Sequence, residues 1–199
     1  MKAVLFDLDG VLVDSYAVWH AVINAFARDH GYPAIDEAHM RAGWGQGTDA
    51  DAAMFFPGST VAAVDTYYDA HFMDHVDALE VTQRAGEVIA RLRESGWKTA
   101  IVTNTSTALA TRLVERAGFA VDAIVGSSDV GRPKPAPDMI VHACERLDVK
   151  PAAAVMIGDS VFDRDAASAA GVPFIAYRWN GGRRIDDLDE LPDLVRRLV

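Results

Sequence analysis

The chain has 199 residues, half of them hydrophobic, and a formal net charge of −10. The length suits one core domain with a smaller insertion, and the negative balance argues against nucleic acid and anionic membrane surfaces as partners. A single cysteine, Cys144, permits no internal disulfide and fits a reducing, cytoplasmic compartment. It lies in the helical-looking stretch Met139–Cys144 and reads as a small buried residue, not as a nucleophile.

Residues 1–6 (MKAVLF) form an apolar run that ends in Asp7-Leu8-Asp9-Gly10, the pattern of a buried parallel strand stopping at a turn. The run begins so early that no signal peptide is expected, and no apolar stretch is long enough to span a bilayer. In an extended chain Asp7 and Asp9 point to the same side. Two close carboxylates need a compensating positive charge, and a divalent metal ion, which prefers oxygen ligands, is one source of it. Loop capping is the other reading of the pair, and the strand alone does not separate the two.

A helix is predicted from Ser15 to His30, with Val18, Trp19, Val22, Ile23 and Phe26 at helical spacing and Gly31 and Pro33 ending it. Residues 34–81 carry further helical pieces and no convincing buried strand. Among them is the turn Gly43-Trp44-Gly45-Gln46-Gly47-Thr48, which lacks the strand-to-helix context of a dinucleotide-binding loop. A helix is expected from Val61 to about Val76. His71 and His75 lie four apart on it, but the glutamate of the zinc-protease motif is missing, so a solvated face is expected there.

From Thr82 onward helices and strands alternate. A helix closed by Gly96 leads to a strand at Thr99–Thr103, and Asn104-Thr105-Ser106-Thr107 then opens a helix to Arg116. Hydroxyls and free backbone N–H groups at such a junction make an anion site and also serve as N-caps. A strand at Ala123–Gly126 is followed by the loop Gly131-Arg132-Pro133-Lys134-Pro135-Ala136-Pro137. Its prolines hold Lys134 extended and lower the entropic cost of placing a long side chain. The strand Ala153–Ile157 ends in Gly158-Asp159-Ser160-Val161-Phe162-Asp163, where Asp159 and Asp163 share one face of a first helical turn. Favourable placement at the helix dipole is the alternative reason for acids there. A strand at Phe174–Tyr177, a turn at Asn180-Gly181-Gly182 and a last helix at Leu191–Leu198 complete the chain.

This alternation predicts an α/β fold, a doubly wound parallel sheet built from residues 1–14 and 82–199, with a helical insertion at residues 15–81. In such sheets ligands bind outside the carboxyl ends of the strands. Asp7, Asp9, Thr103, Lys134, Asp159 and Asp163 all fall on that edge. Carboxylates with one lysine and one hydroxyl suit metal-assisted phosphoryl transfer.

Asp7-Leu8-Asp9-Gly10, Thr103, Lys134-Pro135 and Gly158-Asp159-Ser160-Val161-Phe162-Asp163 resemble, in order and spacing, the four motifs of the haloacid dehalogenase-like hydrolases. The resemblance covers essentially the whole chain. It implies a Rossmann-like core with the first strand central and a helical cap of the first type after it. It implies that Asp7 attacks phosphorus to form an aspartyl-phosphate, and that Asp9 protonates the leaving oxygen and then activates water. Thr103 and Asn104 would hold phosphoryl oxygens, and Lys134 would offset the crowded negative charge. Magnesium would be held by Asp7, Asp159 and the backbone carbonyl of Asp9, with Asp163 on a metal-bound water.

Within that family, Asp9 favours phosphotransfer over dehalogenation, and the lack of any lysine between Lys2 and Lys98 counts against the phosphonate-cleaving branch. The loop Arg41–Thr48 and the stretch Ile185–Leu191 look like the phosphoglycolate phosphatase type, which makes Arg41, Trp44 and Gln46 candidates for substrate contact from the cap. The chain departs from that type at Leu79–Ala85, which lacks the usual Pro-Gly, and in the arginine-rich residues 177–184. The expected protein is a magnesium-dependent phosphatase for a small phosphorylated metabolite, with phosphoglycolate as the named candidate, working as a monomer or homodimer. A sugar phosphomutase of the β-phosphoglucomutase type and a non-catalytic binding protein are the alternatives.

Overall fold

The computed structural model describes residues 1–198. Its strands are β1 (Ala3–Phe6), β2 (Val13–Asp14), β3 (Glu80–Val81), β4 (Lys98–Val102), β5 (Ala123–Val125), β6 (Ala154–Gly158), β7 (Phe174–Tyr177) and β8 (Arg183–Ile185). Helices α1 (Tyr16–His30), α2 (Glu37–Ala42), α3 (Thr48–Phe55) and α4 (Val61–His71) lie between β2 and β3. Helices α5 (Ala85–Glu94), α6 (Thr107–Ala117), α7 (Asp138–Leu147), α8 (Val161–Ala170) and α9 (Leu191–Val195) alternate with or follow the later strands.

β1 is central because it is apolar on both faces. Leu5 and Ala3 join one cluster with Met139, Ile140 and Ala143 of α7 and Ala166 and Ala167 of α8. Val4 and Phe6 join the other, with Val88 and Ile89 of α5, Leu109 and Leu113 of α6, and Val22 and Phe26 of α1. Successive side chains alternate across a strand, so a run of apolar residues needs cover on both sides. The sheet order β5-β4-β1-β6-β7-β8 follows, with every neighbouring pair parallel. Truncating Phe6, which is fully buried, would remove roughly 3–5 kcal/mol of packing.

β2 and β3 pair antiparallel, and the Thr82 N–H donates to the Leu12 carbonyl at 3.0 Å. This short ribbon ties the two ends of the helical insertion together, so the insertion leaves and rejoins the core at one place. α1 ends as its sequence predicts, with Gly31 at φ +77° and its N–H on the carbonyls of Ala27 and Arg28.

Three features differ from the sequence reading. α4 stops at His71 and continues as a 3-10 helix over Phe72–Ala78. The last helix is shorter than expected, Leu191–Val195, and the expected core boundary at residue 199 lies outside the described residues. β8 is a strand where the sequence predicts only a turn leading to the last helix, because only its Ile185 is buried, while Arg183 and Arg184 face solvent. A charged edge strand carries no apolar run, and the charges keep other strands from adding to it.

Candidate active site

The site begins where β1 ends. The Asp7 N–H donates to the Ile157 carbonyl at 2.9 Å, which carries the parallel ladder one residue beyond the strand and fixes Asp7 at its tip. The chain then turns back, with the N–H groups of Leu12 and Val13 on the Leu8 carbonyl at 3.0 and 3.1 Å. Gly10 makes this turn at φ +79°, and a Cβ placed there would lie 2.0 Å from Asp159 Oδ2. Only glycine both adopts that conformation and leaves room for the carboxylate.

Lys134 reaches the same point from the proline loop, with its side chain only 1% exposed. Its Nζ lies 2.9 Å from Asp7 Oδ1 and 2.6 Å from Asp163 Oδ1, and it donates to the Val102 carbonyl at 3.0 Å. All three ammonium hydrogens are thereby engaged. Burial alone would pull its pKa down, but Asp163 and Asp7 outweigh burial and hold it above the usual lysine value. The backbone of Lys134 is clamped as well. Its N–H donates to Asn104 Oδ1 at 2.9 Å, and Asn104 Nδ2 donates to the Lys134 carbonyl and to the Gly45 carbonyl, each at 3.1 Å. Asn104 thus joins the lysine loop to the insertion and has no amide hydrogen left over.

Asp163 is fully buried. Its second oxygen accepts from the Ser160 N–H at 3.2 Å and the Ser160 hydroxyl at 2.5 Å. The Ser160 N–H bond, with the return bond from the Asp163 N–H to Ser160 Oγ at 3.4 Å, forms the capping box that starts α8. The Ser-x-x-Asp spacing carries that signal in the sequence, and it places Asp163 without the need for a metal.

Asp159 differs. Its Oδ2 accepts from Trp44 Nε1 at 2.9 Å, but its Oδ1 is buried with no partner. Burial, then Asp163, push its carboxyl up to about 7 against the pull of Trp44 and Lys134. Asp7 is likewise raised well above the usual carboxylate range, by burial first and then by Asp163. Ligand atoms of Asp7, Asp159 and Asp163 lie within 4.8 Å of one another. Three carboxylates face one ammonium, an excess that one divalent cation balances, and a buried carboxylate oxygen without a donor is a vacant ligand position. The residues fit magnesium.

Asp9 stands apart from this group. Its Oδ1 accepts from the Ser15 hydroxyl at 2.5 Å and Trp19 Nε1 at 2.9 Å, and its Oδ2 from the hydroxyls of Thr105 at 2.7 Å and Thr103 at 3.3 Å. Four donors fill about all the lone-pair positions a carboxylate has.

A family model described as haloacid dehalogenase-like hydrolase matches residues 1–171. The chain belongs to the haloacid dehalogenase-like hydrolases. It is 32% identical to a phosphoglycolate phosphatase of Cupriavidus necator, over 97% of this chain and 92% of that protein. It is 30% identical to an N-acetylmuramic acid 6-phosphate phosphatase of Pseudomonas aeruginosa, over 90% and 82%. A crystal structure of a subfamily IA hydrolase from Geobacter sulfurreducens superposes with a TM-score of 0.71 at 26% identity, covering 98% of this chain and 96% of that one.

In this hydrolase the insertion roofs a cavity of about 60 Å³ above the carboxylates. A single water needs roughly 10–15 Å³ on the same measure, so the space is small. Trp44 and Gln46 line it, but Arg41 does not. Arg41 turns outward, with its side chain 66% exposed, 2.5 Å from Glu37 and over the ring of Tyr16. An i,i+4 acid and a neighbouring ring hold it on the surface of α2. Asp51 and Tyr68, which sequence reasoning passed over, line the cavity instead. Nothing local marks Asp51, because its burial depends on how α3 packs on α4. His71 pairs with Asp74 at 2.9 Å on the surface. Cys144 is buried and its thiol is pushed up to about 11, by burial first.

Proposed function

We propose that this hydrolase is a magnesium-dependent phosphatase that works through an aspartyl-phosphate on Asp7. The observation that carries the reading is Lys134, whose one ammonium is shared between Asp7 and Asp163 beside the unpartnered oxygen of Asp159. The names of its relatives support a phosphatase of small phosphorylated metabolites. Those names differ in their substrates, phosphoglycolate for one and N-acetylmuramic acid 6-phosphate for another, so kinship leaves the leaving group open between them.

Asp7, Asp159 and the Asp9 carbonyl would hold magnesium, with Asp163 behind them. The ion supplies charge neutralisation for the phosphoryl oxygens and for the crowded acids. Lys134 lies against Asp7 Oδ1, so Asp7 attacks phosphorus through the oxygen that Lys134 does not hold. The ester P–O bond breaks, and Asp9 gives its proton to the leaving oxygen. Asp9 then takes a proton from water, which attacks the acyl phosphate, frees phosphate and restores Asp7. One of the four donors on Asp9 must let go for either transfer, and Thr103 holds the longest of those bonds at 3.3 Å. Residues 15–81 act as a cap that closes over the substrate and excludes water. A free, buried Cys144 accords with a cytoplasmic setting.

The test is phosphate release from a panel of phosphorylated metabolites, with magnesium and with a chelator. Release that needs magnesium is expected. No release from any phosphoester by metal-loaded protein overturns the reading.

A further inference from the structure

The roof of the cavity has a polarity that the catalytic chemistry does not require. The side-chain donors that the insertion turns into the cavity are already engaged, nearly all by carboxylates of the protein, and only the second amide hydrogen of Gln46 goes elsewhere, to Met54 Sδ at 3.9 Å. Trp19 donates to Asp9, Trp44 to Asp159, Gln46 to Asp51 at 2.7 Å, and Tyr68 to Asp51 at 3.1 Å. The Thr48 hydroxyl favours the charged form of Asp65. What the roof still offers is acceptors, with Asp51 at their centre.

Asp51 is only 8% exposed, and among the described residues no cation acts on it. Its two oxygens carry one hydrogen bond each, while a carboxylate has about four lone-pair positions. Asp49 and Asp65 stand near enough to add negative potential. Among the described residues Lys134 is the one cation that lines the cavity, and Asp7, Asp163 and Val102 hold all three of its hydrogens. Arg41, the cap cation expected to reach a substrate, lies outside.

We infer that the roof selects a leaving group that carries hydrogen-bond donors, a hydroxyl or an ammonium, and rejects one that carries a carboxylate. This rests on the phosphatase reading and adds the chemical class of the substrate. Such selection has an attractive and a repulsive half. A donor on the leaving group completes the unfilled lone pairs of Asp51 in a site that excludes water. Above about pH 7, where Asp51 has given up its proton, a carboxylate there meets a like charge with no cation between them, and like charges at low local dielectric repel strongly.

Three small phosphomonoesters of nearly equal size separate the cases: phosphoethanolamine, glycerol 1-phosphate and phosphoglycolate. With magnesium at pH 8, where Asp51 is ionised, the wild-type protein is expected to turn over at least one of the first two with kcat/KM about tenfold or more above phosphoglycolate. The better of the two tells whether ammonium or hydroxyl is preferred. Asp51→Asn keeps the shape and removes the charge, so the ratio to phosphoglycolate should shrink severalfold. General damage would lower all rates and leave the ratio alone, and the wild-type ranking decides the matter even if this variant fails to fold. Phosphoglycolate as the best of the three, or an unchanged ratio in an Asp51→Asn protein that turns over p-nitrophenyl phosphate as wild type does, overturns the inference and leaves the phosphatase reading standing. No turnover of any of the three or of p-nitrophenyl phosphate overturns both.

Discussion

Trp44 of the insertion donates its indole N–H to Asp159 Oδ2 at the tip of β6, 2.9 Å away and 115 positions along the chain. A residue of the cap thereby touches a candidate metal ligand of the core. Hydrogen bonds to a charged acceptor contribute about 1.5–3 kcal/mol. Trp44→Phe keeps most of the ring and removes the donor, so kcat/KM should fall about tenfold or more, with a weaker apparent affinity for magnesium. A magnesium titration of phosphate release checks both.

Lys134 is a second test, this time of stability. Asp7 and Asp163 stay in a dry site when it is removed, facing each other without a cation. Breaking a buried ion pair by deleting one partner costs about 3–5 kcal/mol. Lys134→Ala should lose that much in urea denaturation without metal and lose turnover with metal. Unchanged stability and kinetics would reduce this lysine to a loop residue.

Gly10→Ala probes how closely two strand tips approach. The new methyl group would meet Asp159 Oδ2 at 2.0 Å in a backbone conformation, φ +79°, that disfavours alanine. The variant should bind magnesium more weakly and melt at lower temperature than wild type. Differential scanning calorimetry with and without magnesium reads both effects.

Asp51 gives a pH dependence whose sign is fixed. Burial lifts its carboxyl from an ordinary 3.8 to about 7, against hydrogen bonds from Gln46 and Tyr68 that pull it down. Below the unfolded value both states hold the proton and nothing is lost. As pH rises from about 4 to about 7 the unfolded chain gives up its proton while the folded one keeps it, so stability drains away over that window and then levels off. Asp51→Asn cannot titrate. It should therefore gain on wild type across that window, by a few kcal/mol at most at about 1.4 kcal/mol per pKa unit. Denaturation midpoints at pH 4.5 and pH 8 measure the gap, which should be larger at pH 8.

Much of this arrangement was legible in the chain because strand tips are marked locally. Asp7, Thr103 and Asp159 each follow an apolar run, and parallel pairing carries all three to one edge of the sheet. Ser160 and Asp163 announce their helix start by spacing alone. The roof was not legible in the same way. Arg41 and Trp44 are three positions apart in a short polar stretch, and only the packing of α2 decides that one turns out and the other in. Asp51 sits among alanines on α3, and its burial comes from α4 through Tyr68. β8 escaped because its arginines face water, where no apolar pattern is needed.

The central claim is that Asp7 is the nucleophile of a magnesium-dependent phosphatase, and phosphate release by Asp7→Asn beside wild type tests it most directly. Both proteins should fold alike, judged by circular dichroism. Wild type should release phosphate only with magnesium, and Asp7→Asn should release none above background. An Asp7→Asn protein that turns over phosphomonoesters at a rate near that of wild type would contradict the account.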